Sequence, residues 1–203
     1  QSARTPADRA RVERRAELSR YYDEARRLAQ LASQVDQDQT LRQFVVCSGG
    51  GPSIMEAANR GAADVGAPSV ALNIVLPHEQ APNLYVTPEL SFNFHYFAVR
   101  KMHFLMRARA ITIFPGGFGT LDETFEALTL IQTGKIDPMP VIFFGREFWE
   151  RVVDFDALVE EGVIGRQDLN LFSYAETAEE AWERIQAFYR GNPQDRRQRD
   201  DPT

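Results

Sequence analysis

The chain has 203 residues, 43% of them hydrophobic and 26% charged, with a formal net charge of −6. This is the composition of a globular domain with a sizeable core, and its acidic balance argues against general nucleic-acid binding. No apolar run reaches the length of a bilayer span, no secretory leader is read at the N-terminus, and the single cysteine, Cys47, excludes an intrachain disulfide and a multi-cysteine metal site.

After a polar start over 1–6, residues 8–33 read as a long helix. Leu18, Tyr21, Tyr22, Ala25, Leu28, Ala29 and Ala32 recur there at threes and fours. The basic run 9–15 reads as a solvated helical face. A polar connection over 35–40 leads to a strand over 44–47, where Cys47 is expected to be a buried, inert thiol. A glycine loop over 48–52 opens a helix over 53–65 that ends near Gly66. Next come a strand over 70–75, a proline-containing loop over 77–88 and a short extended piece over 90–94. A helix over 97–108 precedes a strand over 111–114, a second glycine loop, and a helix from Leu121 to about 133. The last elements are a strand over 140–144, one helix over 148–161, a short strand over 171–174 and a helix over 177–189. Residues 191–203, charged and holding two prolines, read as a disordered tail.

Strands alternating with helices predict a doubly wound parallel sheet with helices on both faces, in one α/β domain over 1–190. Ligands of such folds bind beyond the carboxyl ends of the strands. Both glycine loops follow strands, so both are expected to line one crevice. The second is Pro115-Gly116-Gly117-Phe118-Gly119-Thr120-Leu121-Asp122-Glu123. A strand, glycine loop and helix in succession leave backbone N–H groups unpaired at a helix N-terminus, where the macrodipole favours an anion. Thr120-x-x-Glu123 and Ser53-x-x-Glu56 are also capping-box patterns, which need no ligand. Two such loops in one chain suggest a nucleotide, with phosphate and ribose held between them. Neither is G-x-G-x-x-G or a Walker A motif, which argues against dinucleotide chemistry and ATP hydrolysis.

A carboxylate beside a bound ribose stabilises an oxocarbenium-like transition state or activates water. Glu123 is the candidate, with capping as the alternative; Glu126, three residues on, reads as a solvated face. Arg100 and Lys101 lie on an aromatic helix with Phe94, Tyr96, Phe97 and Phe104. A charge in such company needs an acceptor, and Arg100 suits a phosphate or carboxylate. The alternative is an exposed pair or a subunit salt bridge. His78, His95 and His103 show no metal spacing, and no metal site is expected. Asn59 and Asn73 read as cap or turn residues unless the loops bind a ligand.

The run Pro115 to Glu123 matches P-G-G-x-G-T-x-x-E, and the chain is identified on it as resembling the LOG (lonely guy) family. Residues 49–61 look like that family's first glycine loop, and 97–102 like its Arg-Lys-Met helix; the resemblance runs to about Tyr189. It implies a modified Rossmann fold and a homodimer or larger homo-oligomer. The implied activity is hydrolysis of the N-glycosidic bond of nucleoside 5′-monophosphates, such as a cytokinin riboside monophosphate or AMP, to free base and ribose 5-phosphate. The implied catalytic pair is Arg100 and Glu123. The implied nucleotide contacts are Gly49, Gly50, Gly51, Ser53, Met55, Glu56, Asn73, Lys101, Gly116, Gly117, Gly119 and Thr120. No cofactor is expected, since hydrolysis needs only water, and neither a nucleic-acid partner nor a membrane is expected. The expected location is the cytoplasm.

Ser53 stands where the family commonly has glycine. Gln1-Ser2-Ala3-Arg4 looks like the end of the family's G-S-A-R loop, so a preceding strand is expected in the natural protein. The competing function is nucleotide binding or sensing without turnover. A third, lyase chemistry through a lysine adduct, has two lysines to draw on, Lys101 and Lys135.

Overall fold

The structure, a computed structural model, describes residues 18–35, 44–75 and 81–191. The expectations for the start of the first helix, the connection over 36–40, His78 and the tail over 192–203 lie outside these residues. The chain divides into two compact units, Gln1–Arg100 and Lys101–Thr203.

In the first unit α1 (Arg20–Ser33) precedes β1 (Val46–Ser48), α2 (Ile54–Asp64), β2 (Ser69–Ile74), a 3-10 turn (Pro88–Leu90) and β3 (Ser91–Phe94). The strands form a parallel sheet in the order β1-β2-β3, with Cys47 opposite Val70 and Asn73 opposite Asn93. The buried stripe of α1, Tyr21, Ala25, Leu28 and Ala29, is the face predicted from periodicity. It lies against α2, whose Ala57 and Ala62 are fully buried. The two helices meet at Gly61: a Cβ there would collide with Arg26 O and stand 2.7 Å from Ala29 Cβ. Arg26 Nε and Nη2 grip Asp64 at 2.5 and 2.9 Å, and Gln30 Nε2 adds a bond at 2.9 Å. This fork holds the Asp64 carboxyl below the usual carboxylate range.

Cys47 corrects an expectation. β1 pairs only with β2 among the described residues, and Cys47 is exposed. Protein atoms still crowd its sulfur enough for lost hydration to push the thiol up to about 12, with the Arg100 charge pulling the other way.

Helix α3 (Phe97–Met106) leads into the second unit, where β4 (Ile111–Ile113), α4 (Phe118–Gln132), β5 (Val141–Phe144), α5 (Arg146–Val152), α6 (Phe155–Glu160), a 3-10 turn (Arg166–Leu171), β6 (Ser173–Ala175) and α7 (Ala178–Gly191) follow. The order is β4-β5-β6, all parallel. All four residues of β5 are buried, as a strand covered on both faces requires. Phe143 is fully buried, with Trp149, Phe155, Phe172 and Tyr174 rings 4.9 to 5.9 Å away. The single helix expected over 148–161 is two. Asp154, in extended backbone, accepts the Ala157 N–H at 2.9 Å and starts α6 afresh. The fold is thus α/β and Rossmann-like.

Candidate functional site

In the first unit β1 ends at Ser48 and the chain turns through Gly49, Gly50 and Gly51 into α2. Gly50 has φ +74°, and a Cβ there would collide with Asn73 Oδ1. Glycine is therefore required twice over, by conformation and by space. A Cβ on Gly49 would stand 2.7 Å from both Arg100 Nη2 and Met55 Sδ. The structure so brings Gly49, Gly50, Met55, Asn73 and Arg100 to one place. Arg100 is steadied by its Nε, which donates to Leu72 O at 2.7 Å near the end of β2.

The capping box expected at Ser53 does not form. Ser53 is the N-cap residue with φ +62°, and its side chain makes no cap bond. Glu56 instead accepts the Tyr22 hydroxyl at 2.9 Å. The first-turn N–H groups of α2 are therefore not satisfied by this side chain, which leaves an anion-favouring terminus beside the loop.

Asn59 and Asn73 also depart from the cap-or-turn reading. Asn59 lies inside α2, fully buried, with Ser48 Oγ at 2.7 Å and Ser69 Oγ at 3.0 Å. Asn73 is on β2 and donates to Ser91 Oγ at 3.1 Å. Asn83 sits beside them, and sequence reasoning missed it. Its only signal was an asparagine after a proline in a loop, which describes most turns.

In the second unit β4 stops at Ile113 and the chain runs through 115–117 into α4. Helix α4 begins at Phe118 with Gly117 as N-cap, three residues earlier than the expected cap. Thr120 is therefore inside the first turn, and its carbonyl accepts the Thr124 hydroxyl at 2.6 Å. The Thr120–Glu123 capping box is thus overturned: Thr120 is not a cap residue, and Gly117 has no side chain to cap with. Gly116 packs directly under Thr120, where a Cβ would collide with its hydroxyl. A Cβ on Gly117 or Gly119 would meet open space. Glu123 is half-buried on α4.

Lys101 reaches two carboxylates of α4, Asp122 at 2.6 Å and Glu126 at 3.1 Å. Asp122, then Glu126, hold its ammonium above the usual lysine range. Glu126 is accordingly not a solvated-face residue. Its Oε2 is shielded from water and touches Lys101 as an ion pair without the geometry of a hydrogen bond. Open depressions of about 670 Å³, along Lys101, Leu121, Asp122 and Phe125, and about 530 Å³, around Arg146, Phe172 and Tyr174, are lined by neither Glu123 nor Gly116–Thr120. The loop and its helix terminus carry backbone donors directed at an anion. Among the described residues no group of three or more His, Cys, Asp or Glu could hold a metal, and no helix is long and apolar enough to cross a membrane.

A family model described as "possible lysine decarboxylase", the LOG-family domain, matches residues 55–185. The chain belongs to the LOG family. No curated protein matches it. Several solved structures share the fold. The structural-genomics target TM1055 is 23% identical with TM-score 0.60, covering 84% of this chain and 89% of that one. The molybdenum cofactor carrier protein of Chlamydomonas reinhardtii is 17% identical with TM-score 0.56, covering 83% and 89%. A molybdenum cofactor binding protein from the phototrophic bacterium Rippkaea orientalis is 20% identical with TM-score 0.56, covering 83% and 87%. At these identities the likeness shows the fold alone. The decarboxylase wording in the LOG domain's description finds little support in Lys101, since an amine held charged by two carboxylates is a poor nucleophile.

Proposed function

We propose that this LOG-family protein hydrolyses the N-glycosidic bond of nucleoside 5′-monophosphates, AMP or a cytokinin riboside monophosphate, to free base and ribose 5-phosphate. The observation that carries the reading is that both glycine loops follow parallel strands and enter helices without a side-chain cap. Backbone donors at such termini suit a phosphate and a sugar hydroxyl. Gly49 to Gly51 with Ser53, and Gly116 to Gly119 with Thr120, are the assigned nucleotide contacts. Met55 and Asn73 border the first loop. Arg100, steadied by Leu72 O, is assigned to the nucleotide and the departing base.

Glu123 is assigned to the reacting centre. As C1′–N cleaves, positive charge grows on the ribose ring, and a carboxylate stabilises it. The same group accepts a proton from the attacking water while the base leaves with the bonding electron pair; the departing nitrogen takes a proton from solvent and the carboxyl returns its own, which yields free base and ribose 5-phosphate. Every step uses water and side chains alone. Lys101 and Glu56, assigned as contacts by resemblance, are engaged elsewhere in the chain and are better read as supports.

The second reading is binding without turnover. It is favoured by the similar structures described as cofactor carrier and binding proteins. Incubating the pure protein with AMP and separating the products distinguishes the two: adenine appears in one case and AMP persists in the other. We also propose a homodimer in the cytoplasm. Phe92, Tyr96, Phe97, Val99, Met102 and Met106 are between 45% and 74% exposed in the single chain, more apolar surface than one helix and its approach usually leave to water.

A further inference from the structure

The first glycine loop is held by groups distant from it in sequence. Asn83 donates its backbone N–H to Gly50 O at 2.8 Å. Its Nδ2 reaches Gly50 O and Gly51 O, both at 3.1 Å, and Asn59 Oδ1 at 2.9 Å. Its Oδ1 accepts the Tyr85 N–H at 3.1 Å, which fixes which way the amide faces. Behind it, Asn59 Oδ1 also accepts the Ser48 hydroxyl at 2.7 Å, and Ser48 Oγ accepts the Gly50 N–H at 3.0 Å.

We propose that Asn83, backed by Asn59, is a positioning residue: it sets the Gly50–Gly51 peptide plane so that the Gly51 N–H faces the phosphate of a bound nucleotide. In a trans peptide the carbonyl and the following N–H point in opposite directions. Two donors from Asn83 hold the Gly50 carbonyl on the Asn83 side, so the Gly51 N–H is turned to the other. Turning the Gly51 carbonyl the same way wastes no donor, because the next residue is Pro52 and has none. Two glycines without this clamp would leave the peptide free to flip. Asn59 is fully buried, so its partners cannot be exchanged for water at small cost. The template is therefore a rigid polar core reaching from β2, through α2, to the loop.

This inference rests on the reading that the loop binds a 5′-phosphate, and its test keeps the two apart. Full-length protein, wild type, Asn83→Ala and Asn83→Asp, is titrated with AMP and with adenosine, and amide exchange at Gly50 is followed. Asn83→Asp keeps the side chain's size if Asn83→Ala fails to fold. The expected result is at least about tenfold weaker AMP binding in both variants, from losing more than one hydrogen bond to the loop. Adenosine binding, which lacks the phosphate, stays within about twofold, and Gly50 exchanges at least about tenfold faster. Unchanged AMP affinity, or an equal loss for adenosine, overturns the inference. A wild type that binds no AMP overturns the nucleotide reading instead; Gly50 exchange then decides the clamp, which acceleration supports and an unchanged rate overturns.

Discussion

At the scale of single residues, two carboxylates of one helix are given different proposed roles. Glu126 is tied to Lys101, and Glu123, three residues earlier, is the one assigned to chemistry. Because Gly117 and not Thr120 starts α4, the capping box that the Thr120–Glu123 spacing suggested does not form. Glu123→Gln is expected to slow base release from AMP by at least about a hundredfold with an unchanged thermal transition; rates above about a tenth of wild type would remove Glu123 from the mechanism. Lys101→Met tests the ion-pair assignment. The lysine pKa is raised in the fold, so its stabilisation is complete below the unfolded value and is lost as pH rises through the folded one. The variant is expected to be about 1 kcal/mol less stable at pH 7, a figure kept low because Asp122 is half exposed. Denaturant melts should show that difference shrinking as pH rises past the usual lysine range; a constant difference across that range would assign the loss to packing.

At the scale of elements, the first unit depends on the close approach of α1 and α2. Gly61 is where the helices touch backbone to backbone, and no flexible side chain stands there to yield. Gly61→Ala is expected to destabilise the chain by roughly 1–3 kcal/mol, against the ordinary helix-propensity gain of the same substitution. A stability equal to or above wild type in urea would show that the helices part easily. Elements were also where the sequence was most and least readable. The strand before Pro115 and the helix after it stood out because β-branched residues, glycines and apolar spacing change within a few positions. The start of α4 did not, because Thr120 with Glu123 satisfies the capping pattern while glycine at N-cap leaves no side-chain signal. The break at Asp154 was hidden because residues on both sides of it bury aromatic rings, and the pattern reads as one helix. Asn83 was hidden for another reason: the acceptors of its Nδ2 lie 24 to 33 positions away, and no local period reports them.

At the scale of the whole molecule, the family and the α/β Rossmann-like fold were both legible from the second glycine loop and its companion. The proposed self-association was not, since the aromatic run 92–97 suits a core as well as an interface, and only the structure gives the exposure of Phe92, Tyr96 and Phe97 in the single chain. Sedimentation is expected to give a mass of two chains or more, and Met102→Glu with Met106→Glu to shift it towards one; a wild-type monomer at all concentrations would leave that apolar surface without its proposed cover. The most direct test of the central claim is product analysis after incubating purified wild-type protein with AMP. Hydrolysis at the N-glycosidic bond predicts adenine and ribose 5-phosphate in equal amounts, accumulating over many turnovers, and both at least about a hundredfold more slowly from Glu123→Gln. AMP bound but recovered intact would contradict it and make this chain a nucleotide carrier.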